Sequence, residues 1–302
     1  MTRTDRAGID RVGIVGCGLM GSGIAEICAR AGLETKVYEV DADSVSAGRA
    51  RIQASLDRAV QRGKIGKQAR AEALALLTFT TELDDFADRD LAIEAVPERE
   101  ELKRDVFRAL DKAMTQPDAV IASNTSSIPV VKLATVTSRP HMIIGLHFFN
   151  PVPTLKLVEV TASVLTEEST RQRIHAFATD ILGRHVIRSQ DRAGFIVNAL
   201  LIPYITAAIR MYESGFASAD DIDSGMVMGC AHPMGPLALA DHIGLDTTLA
   251  IAESLYQEYR EPHHAPPPLL ARMVAAGHLG RKTGQGFHQW PAARPPRAGV
   301  GE

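Results

Sequence analysis

Short apolar runs alternate with longer stretches of helical periodicity from the N-terminal region to Arg188. Stretches with the spacing of amphipathic helices occupy Met20–Ala31 and Ser44–Arg62. This alternation predicts an α/β domain with a doubly wound, largely parallel sheet and helices on both faces. The apolar runs predict strands at Arg11–Val15, Thr35–Glu39, Leu91–Val96, Val120–Ser123, Ile143–Phe148, Leu157–Val160 and His185–Ile187.

After Asp191 the pattern is helical throughout, with Gly and Pro clusters between the periodic segments. It predicts helices at Gly194–Glu213, Asp220–Met228, Leu245–Tyr259 and Pro268–Ala276. We therefore expect a sheet domain over residues 1–191 and an all-helical domain over residues 192–290. Residues 291–302 are rich in Pro, Ala, Gly and Arg, and we expect a disordered tail there.

Composition excludes several classes of protein. The 302 residues are 45% hydrophobic and 23% charged, which is typical of a globular protein with a sizeable core. A net charge of −3 with scattered basic residues predicts neither nucleic acid nor a membrane surface as partner. The three cysteines have no metal-type spacing and cannot all pair, which fits a reducing compartment. No signal peptide or membrane-spanning run is visible, so we expect a cytoplasmic protein.

The segment Gly16-Cys17-Gly18-Leu19-Met20-Gly21 lies between the first predicted strand and the first predicted helix. In this context Gly16 permits a tight turn, Gly18 lets a pyrophosphate approach the backbone, and Gly21 lets helix and strand pack closely. Glu39, at the end of the second strand, suits the ribose hydroxyls of NAD and would repel the 2′-phosphate of NADP. A purely structural glycine turn is the alternative, and the register of strand, glycines, helix and acid favours NAD binding.

Two ionisable residues interrupt apolar strands later in the sheet domain. His147 lies at the end of a predicted strand, beside aromatic residues, and Glu159 lies within the predicted strand Leu157–Val160. A buried carboxylate is costly unless it is paired, and two adjacent strand ends could bring the cation-capable His147 to it. Such a pair fixes the imidazole tautomer and suits a general base, although a lone histidine in this setting is as often a packed core residue.

Two further polar positions are candidate substrate contacts. Ser126 belongs to a run of small polar residues, 123–127, directly after a predicted strand, where hydroxyls also serve as helix N-caps. Asn198 lies in the first turns of the helix that begins the second domain. It is either an ordinary buried amide or a group that orients a substrate carbonyl.

Together these segments resemble the (S)-3-hydroxyacyl-CoA dehydrogenases, in particular the bacterial 3-hydroxybutyryl-CoA dehydrogenases. The resemblance implies a Rossmann-type NAD-binding domain, an all-helical domain for substrate binding and dimerisation, and a place in fatty-acid metabolism. The likeness extends over residues 9–290. It rests on the segments Gly16–Ala25, Ala122–Ser127, Gly145–Pro153, Lys156–Val160, Gly194–Asn198, His232–Pro236, Gly244–Thr247 and Lys282–Phe287.

The resemblance also assigns roles to single residues. It implies that His147 is the general base, that Glu159 orients it, and that Ser126 and Asn198 hold the substrate. The implied partners are an acyl-CoA thioester and a second copy of the chain. For the cofactor it implies contacts from Gly16, Gly18, Leu19, Met20, Gly21, Glu39, Glu98, Lys103, Asn150 and Lys282, and for CoA contacts from Ser55 and Arg62.

The sequence departs from the family pattern at a few positions. Glu39 stands where Asp is common, Arg62 where Lys is common, and Pro97 and Arg99 change the surroundings of Glu98. Two other functions stay open: oxidation of a free hydroxy acid by the same His–Glu pair, and a non-catalytic NAD-binding dimer. Acyl-chain length and the direction of the reaction, breakdown or biosynthesis, stay open as well.

Overall fold

Eight strands form a single sheet in the first part of the chain, in the order β3-β2-β1-β4-β5-β6-β7-β8. The computed structural model describes residues 8–291. Every pair of neighbouring strands is parallel except β6 and β7, which are antiparallel. The strands are β1 (Arg11–Val15), β2 (Glu34–Tyr38), β3 (Leu77–Thr80), β4 (Leu91–Glu94), β5 (Val120–Ser123), β6 (Ile143–Phe148), β7 (Leu157–Ala162) and β8 (His185–Gln190).

Within the described residues, the chain divides into two compact units, with the boundary between Phe195 and Ile196. The helices of the first unit are α1 (Leu19–Arg30), α2 (Ala42–Gln61), α3 (Lys67–Ala75), α4 (Glu100–Ala113), α5 (Val130–Ala134) and α6 (Glu168–Ala176). Those of the second unit are α7 (Val197–Glu213), α8 (Ala219–Cys230), α9 (Pro236–Ile243), α10 (Leu245–Tyr259) and α11 (Pro268–Ala275).

Helices cover both faces of the sheet, as the sequence predicts. One apolar cluster joins the sheet to α1, α2 and α6, for example through Ile24, Leu56 and Ile174. A second cluster joins it to α4 and α5 through Phe107 and Leu133. The strand order and the two covered faces confirm the doubly wound, Rossmann-type architecture followed by an all-helical domain.

Six of the named strands and helices have no counterpart among the predicted ones: β3, α3, α4, α5, α6 and α9. Strand β3 is a short, half-polar edge strand, so it has too few apolar residues for a clear alternation. Helix α9 has eight residues and begins with a proline directly after a Gly/Pro cluster, which hides its periodicity. The predicted helix at 194–213 begins later, at Val197, because Gly194 and Phe195 have positive φ values of 75° and 48°.

Two of the three cysteines are buried core residues. Cys17 and Cys28 are buried, and burial raises the pKa of each thiol to about 12.

The second unit has its own apolar core around Ile205, Leu237 and Leu245. No helix within residues 8–291 is both long and apolar enough to cross a membrane. Apart from Pro291, the expected tail lies outside the described residues.

Candidate active site

The loop between β1 and α1 is shaped by its three glycines. Gly16 has a φ of +88°, which favours glycine, and its amide donates to the Tyr38 carbonyl at 3.0 Å. A Cβ on Gly21 would lie 1.8 Å from the Gly16 carbonyl oxygen, so a larger residue would push α1 away from the strand. Gly18 is the N-cap of α1 and faces open space. The first amide groups of α1 are therefore accessible to an anion such as a pyrophosphate.

Glu39 follows β2 and lies beside the glycine loop. Its carboxylate accepts a hydrogen bond from the Cys17 amide, and Arg51 of α2 donates to the Cys17 carbonyl. A groove of about 790 Å³ begins here, and its remaining wall is mostly apolar. It is lined by Gly16, Gly18, Leu19, Met20 and Glu39, with Val106 of α4 among its apolar residues. This combination of open helix amides, a carboxylate and an apolar slot fits a dinucleotide.

A second cavity of about 110 Å³ lies between α1, α2 and the loop that follows β6. Ser55 and Asn150 both line it, together with Arg58. The structure thus brings Asn150, expected at the cofactor, together with Ser55, expected at CoA. Arg62 lies at the C-cap of α2, where it is exposed to solvent.

A buried charge network lies at the carboxyl ends of β4 and β5. Lys103 of α4 is 1% exposed, and its ammonium contacts Glu94 at 2.6 Å and Glu98 at 3.1 Å. The second oxygen of Glu94 accepts a hydrogen bond from Ser123 at 2.7 Å. Since the Lys103 ammonium is enclosed by these carboxylates and the Val96 carbonyl, its direct partners are protein groups.

Glu98 holds the polar loop that follows β5. One of its oxygens accepts hydrogen bonds from the Thr125 hydroxyl and from the amides of Ser126 and Ser127. Burial opposes ionisation of Glu98, but the Lys103 charge and these hydrogen bonds outweigh it and hold the pKa of Glu98 below its usual range. The pKa of Lys103 is raised, because Glu94 and Glu98 outweigh the effect of its burial.

Ser126 is half-buried, and its backbone amide is fixed by Glu98. Its hydroxyl takes part in none of the hydrogen bonds found among residues 8–291. The backbone is thus held in place while the hydroxyl stays available for a ligand.

His147 and Glu159 form a buried pair on adjacent antiparallel strands. They are direct partners in the register of β6 and β7. The His147 Nδ1 lies 2.7 Å from a Glu159 carboxylate oxygen, and Glu159 is fully buried. A carboxylate at this distance favours the tautomer that carries its proton on Nδ1.

The surroundings of His147 leave its second nitrogen accessible to a ligand. The rings of Phe149 and Phe195 lie 4.6 and 5.8 Å from the imidazole, centroid to centroid. Asn124 accepts a hydrogen bond from the Phe148 amide at 2.8 Å and so fixes the end of β6. Among the described residues, Nε2 of His147 has no hydrogen-bond partner.

Two of the expected site residues belong to the second unit. Asn198 is buried near the start of α7. Lys282 donates to both carboxylate oxygens of Asp246, in the first turn of α10, at 2.5 Å. This ion pair joins the C-terminal segment to α10 and is half-exposed.

Comparison with known proteins finds a matching family model for each of the two units. The family model for the NAD-binding domain of 3-hydroxyacyl-CoA dehydrogenase matches residues 11–192, and the model for the C-terminal domain of the same enzyme matches residues 194–290. The chain belongs to the 3-hydroxyacyl-CoA dehydrogenase family. It is accordingly an oxidoreductase whose cofactor is NAD.

Relatives and solved structures of this family cover most of the chain. A 3-hydroxybutyryl-CoA dehydrogenase of Mycobacterium tuberculosis is 54% identical over 89% of this chain and 94% of its own length. The crystal structure of FadB2 from the same species has a TM-score of 0.93 and 54% identity, and covers 94% of this chain and 99% of that one. The (S)-3-hydroxybutyryl-CoA dehydrogenase of Ralstonia eutropha has a TM-score of 0.88 and 44% identity over the same shares.

Among the buried charges that sequence reasoning missed, Glu94 lies in the network around Lys103. Glu94 ends the apolar strand β4, is 0% exposed, and is the shortest contact of Lys103. The available signal was the one that drew attention to Glu159, a carboxylate at a position where the neighbouring strand residues are all apolar.

Proposed function

We propose that the chain interconverts (S)-3-hydroxyacyl-CoA and 3-ketoacyl-CoA with NAD, acts on short chains such as 3-hydroxybutyryl-CoA, and uses His147 as its general base. The observation that carries this proposal is the buried 2.7 Å contact between His147 and Glu159, which leaves Nε2 for a substrate. The names of the relatives support the substrate class, since those of Mycobacterium tuberculosis and Ralstonia eutropha are 3-hydroxybutyryl-CoA dehydrogenases.

The residues along the larger groove fit the cofactor. The α1 amides beside Gly18 would hold the pyrophosphate, and Glu39 would accept the ribose hydroxyls. When bound, the nicotinamide supplies the site that accepts or donates a hydride. Glu98 fixes the Ser126 loop, and Lys103 acts through Glu98 because its ammonium is enclosed. Lys282 and Asn150 are proposed as further cofactor contacts.

In the oxidation, Nε2 of His147 takes the proton of the 3-hydroxyl group while the hydride leaves C3. Glu159 stabilises the resulting imidazolium through Nδ1, so no free alkoxide forms. In the reduction, the protonated His147 returns this proton to the developing alkoxide. The free hydroxyl of Ser126 and the amide of Asn198 are the proposed contacts to the substrate oxygens, and Ser55 and Arg62 the contacts to CoA.

The test is turnover with paired substrates. NADH oxidation is expected with acetoacetyl-CoA and not with free acetoacetate, because the CoA contacts position the keto group. NADPH is expected to be a poor substitute, because Glu39 repels its 2′-phosphate. Equal rates with acetoacetate would instead favour a free-acid dehydrogenase. Tight NADH binding without turnover of either substrate would leave only a binding protein.

We also propose that the second unit forms a homodimer. Ile205 and Ile209 of α7 belong to the unit's own apolar core. By contrast Leu200 of α7 and Met228 of α8 are 73% and 81% exposed. Exposed apolar residues on neighbouring helices are typical of a protein–protein interface.

A double variant, Leu200→Glu with Met228→Glu, is expected to sediment as a monomer under conditions in which the wild type sediments as a dimer. Charges in an apolar contact would remain unpaired on association, so dimerisation becomes unfavourable. Analytical ultracentrifugation measures this. A double variant that dimerises like the wild type would rule out this surface.

A further inference from the structure

A cluster of metal-ligating side chains lies after α10, in the second unit. Glu261, His263 and His264 each offer one ligand atom, and these atoms all lie within 4.8 Å of one another. Within residues 8–291 this is the one group of three or more His, Cys, Asp or Glu residues that meets this criterion. The closest pair is Nδ1 of His263 and a carboxylate oxygen of Glu261, at 3.3 Å.

Arg210 of α7 fixes the backbone that carries these side chains through hydrogen bonds. Its guanidinium donates to the carbonyls of Pro262 and His263, each at 3.3 Å, and to the carbonyl of Ala265. A short 3₁₀ turn, Pro262–His264, adds a hydrogen bond from the His264 amide to the Glu261 carbonyl at 3.0 Å. The segment is therefore preorganised, which lowers the entropy lost when a ligand orders it.

His264 has one unsatisfied ring nitrogen. Its Nδ1 is inaccessible to solvent and has no hydrogen-bond partner among the described residues. The ring stacks on Tyr259 at 4.8 Å and lies 3.9 Å from the His263 ring, centroid to centroid. A buried polar atom without a partner costs free energy, and a metal ion would give this nitrogen the partner it lacks.

We propose that Glu261, His263 and His264 bind one divalent transition-metal ion, of which Zn²⁺ is the representative. Zinc and the other divalent first-row transition metals prefer a ligand set such as two imidazoles and one carboxylate, whereas Mg²⁺ and Ca²⁺ require mostly oxygen ligands. Water completes the coordination. The three ligand atoms lie up to 4.8 Å apart, and rotation of the side chains brings them close enough to share one ion. Glu261 and His263 can rotate because their side chains are 59% and 58% exposed.

Charge is compatible with this assignment, because the carboxylate of Glu261 supplies negative charge that offsets part of the charge of the ion. A neutral imidazole is the form of histidine that binds a metal ion.

The experiment titrates tag-free, EDTA-treated full-length protein with ZnCl₂ by isothermal calorimetry. We expect one Zn²⁺ per chain with micromolar affinity, and zinc should also raise the thermal midpoint of unfolding. His263→Ala and Glu261→Gln should each weaken binding by about tenfold or more, because each removes a ligand. Both residues are exposed, so both variants should unfold at the wild-type temperature without zinc.

The matched control is His185→Ala, which removes an exposed histidine of β8 in the first unit. This variant should bind zinc as the wild type does. The assignment is overturned if the wild type takes up no stoichiometric zinc. It is equally overturned if His263→Ala and Glu261→Gln bind zinc as tightly as the control.

Discussion

His147→Gln is expected to lower kcat for acetoacetyl-CoA reduction by about 10³-fold, within the range that general acid–base catalysis supplies. Glutamine keeps the approximate size of the side chain but cannot carry the transferred proton. Because the glycine loop and Glu39 are untouched, the Kd for NADH should stay within about twofold of the wild-type value. Stopped-flow NADH oxidation and a fluorescence titration with NADH measure the two quantities.

His185→Gln is the matched control for this substitution, since it changes an exposed histidine of the same unit. It should leave both kcat and NADH binding unchanged. Wild-type turnover in His147→Gln would mean that another group moves the proton. A parallel loss of NADH binding would mean that the substitution damages the fold and not the chemistry.

Lys103→Met is expected to lower the free energy of unfolding by about 3–5 kcal/mol, which is typical of breaking a buried ion pair from one side. The variant leaves Glu94 and Glu98 without their shared cation, and Glu94 is fully buried. Urea denaturation at pH 7 measures the change. Because the pKa of Glu98 is lowered on folding, its contribution is present at neutral pH and is lost as the pH falls through its folded-state pKa.

Lys132→Met is the control for the buried network. Lys132 contacts Glu100 at 2.7 Å, a distance close to that between Lys103 and Glu94, but this pair is exposed. Its loss should cost less than about 1 kcal/mol, because water screens exposed ion pairs. Equal effects of the two substitutions would show that burial of the Lys103 network contributes nothing to stability.

The cofactor groove and the His–Glu pair follow from local sequence rules. Gly16 needs a positive φ and Gly21 a missing side chain, and both requirements are visible as glycines between a strand and a helix. Glu159 stands out because a carboxylate within an apolar strand requires a partner. The search for that partner related Glu159 to His147, and the β6–β7 register places them as direct neighbours.

These local rules do not predict contacts between segments that are distant in sequence. Lys103 was expected at the cofactor, yet its ammonium lies between Glu94 and Glu98, and only the packing of α4 against β4 reveals this. Asn150 and Ser55 were expected at different ligands, and they line one cavity because α2 folds back beside the loop after β6. Sequence patterns identify residue types and spacing, but they do not determine which side chains meet across the sheet.

The most direct test of the central claim is a double-mutant cycle on kcat for His147→Gln and Glu159→Gln. If the two residues act as one unit, Glu159→Gln alone should cost about 10²-fold and His147→Gln about 10³-fold. The double variant should then be no slower than His147→Gln, because Glu159 acts only through the imidazole. Additive losses, which would make the double variant slower by about 10⁵-fold, would contradict the proposed proton transfer through this pair.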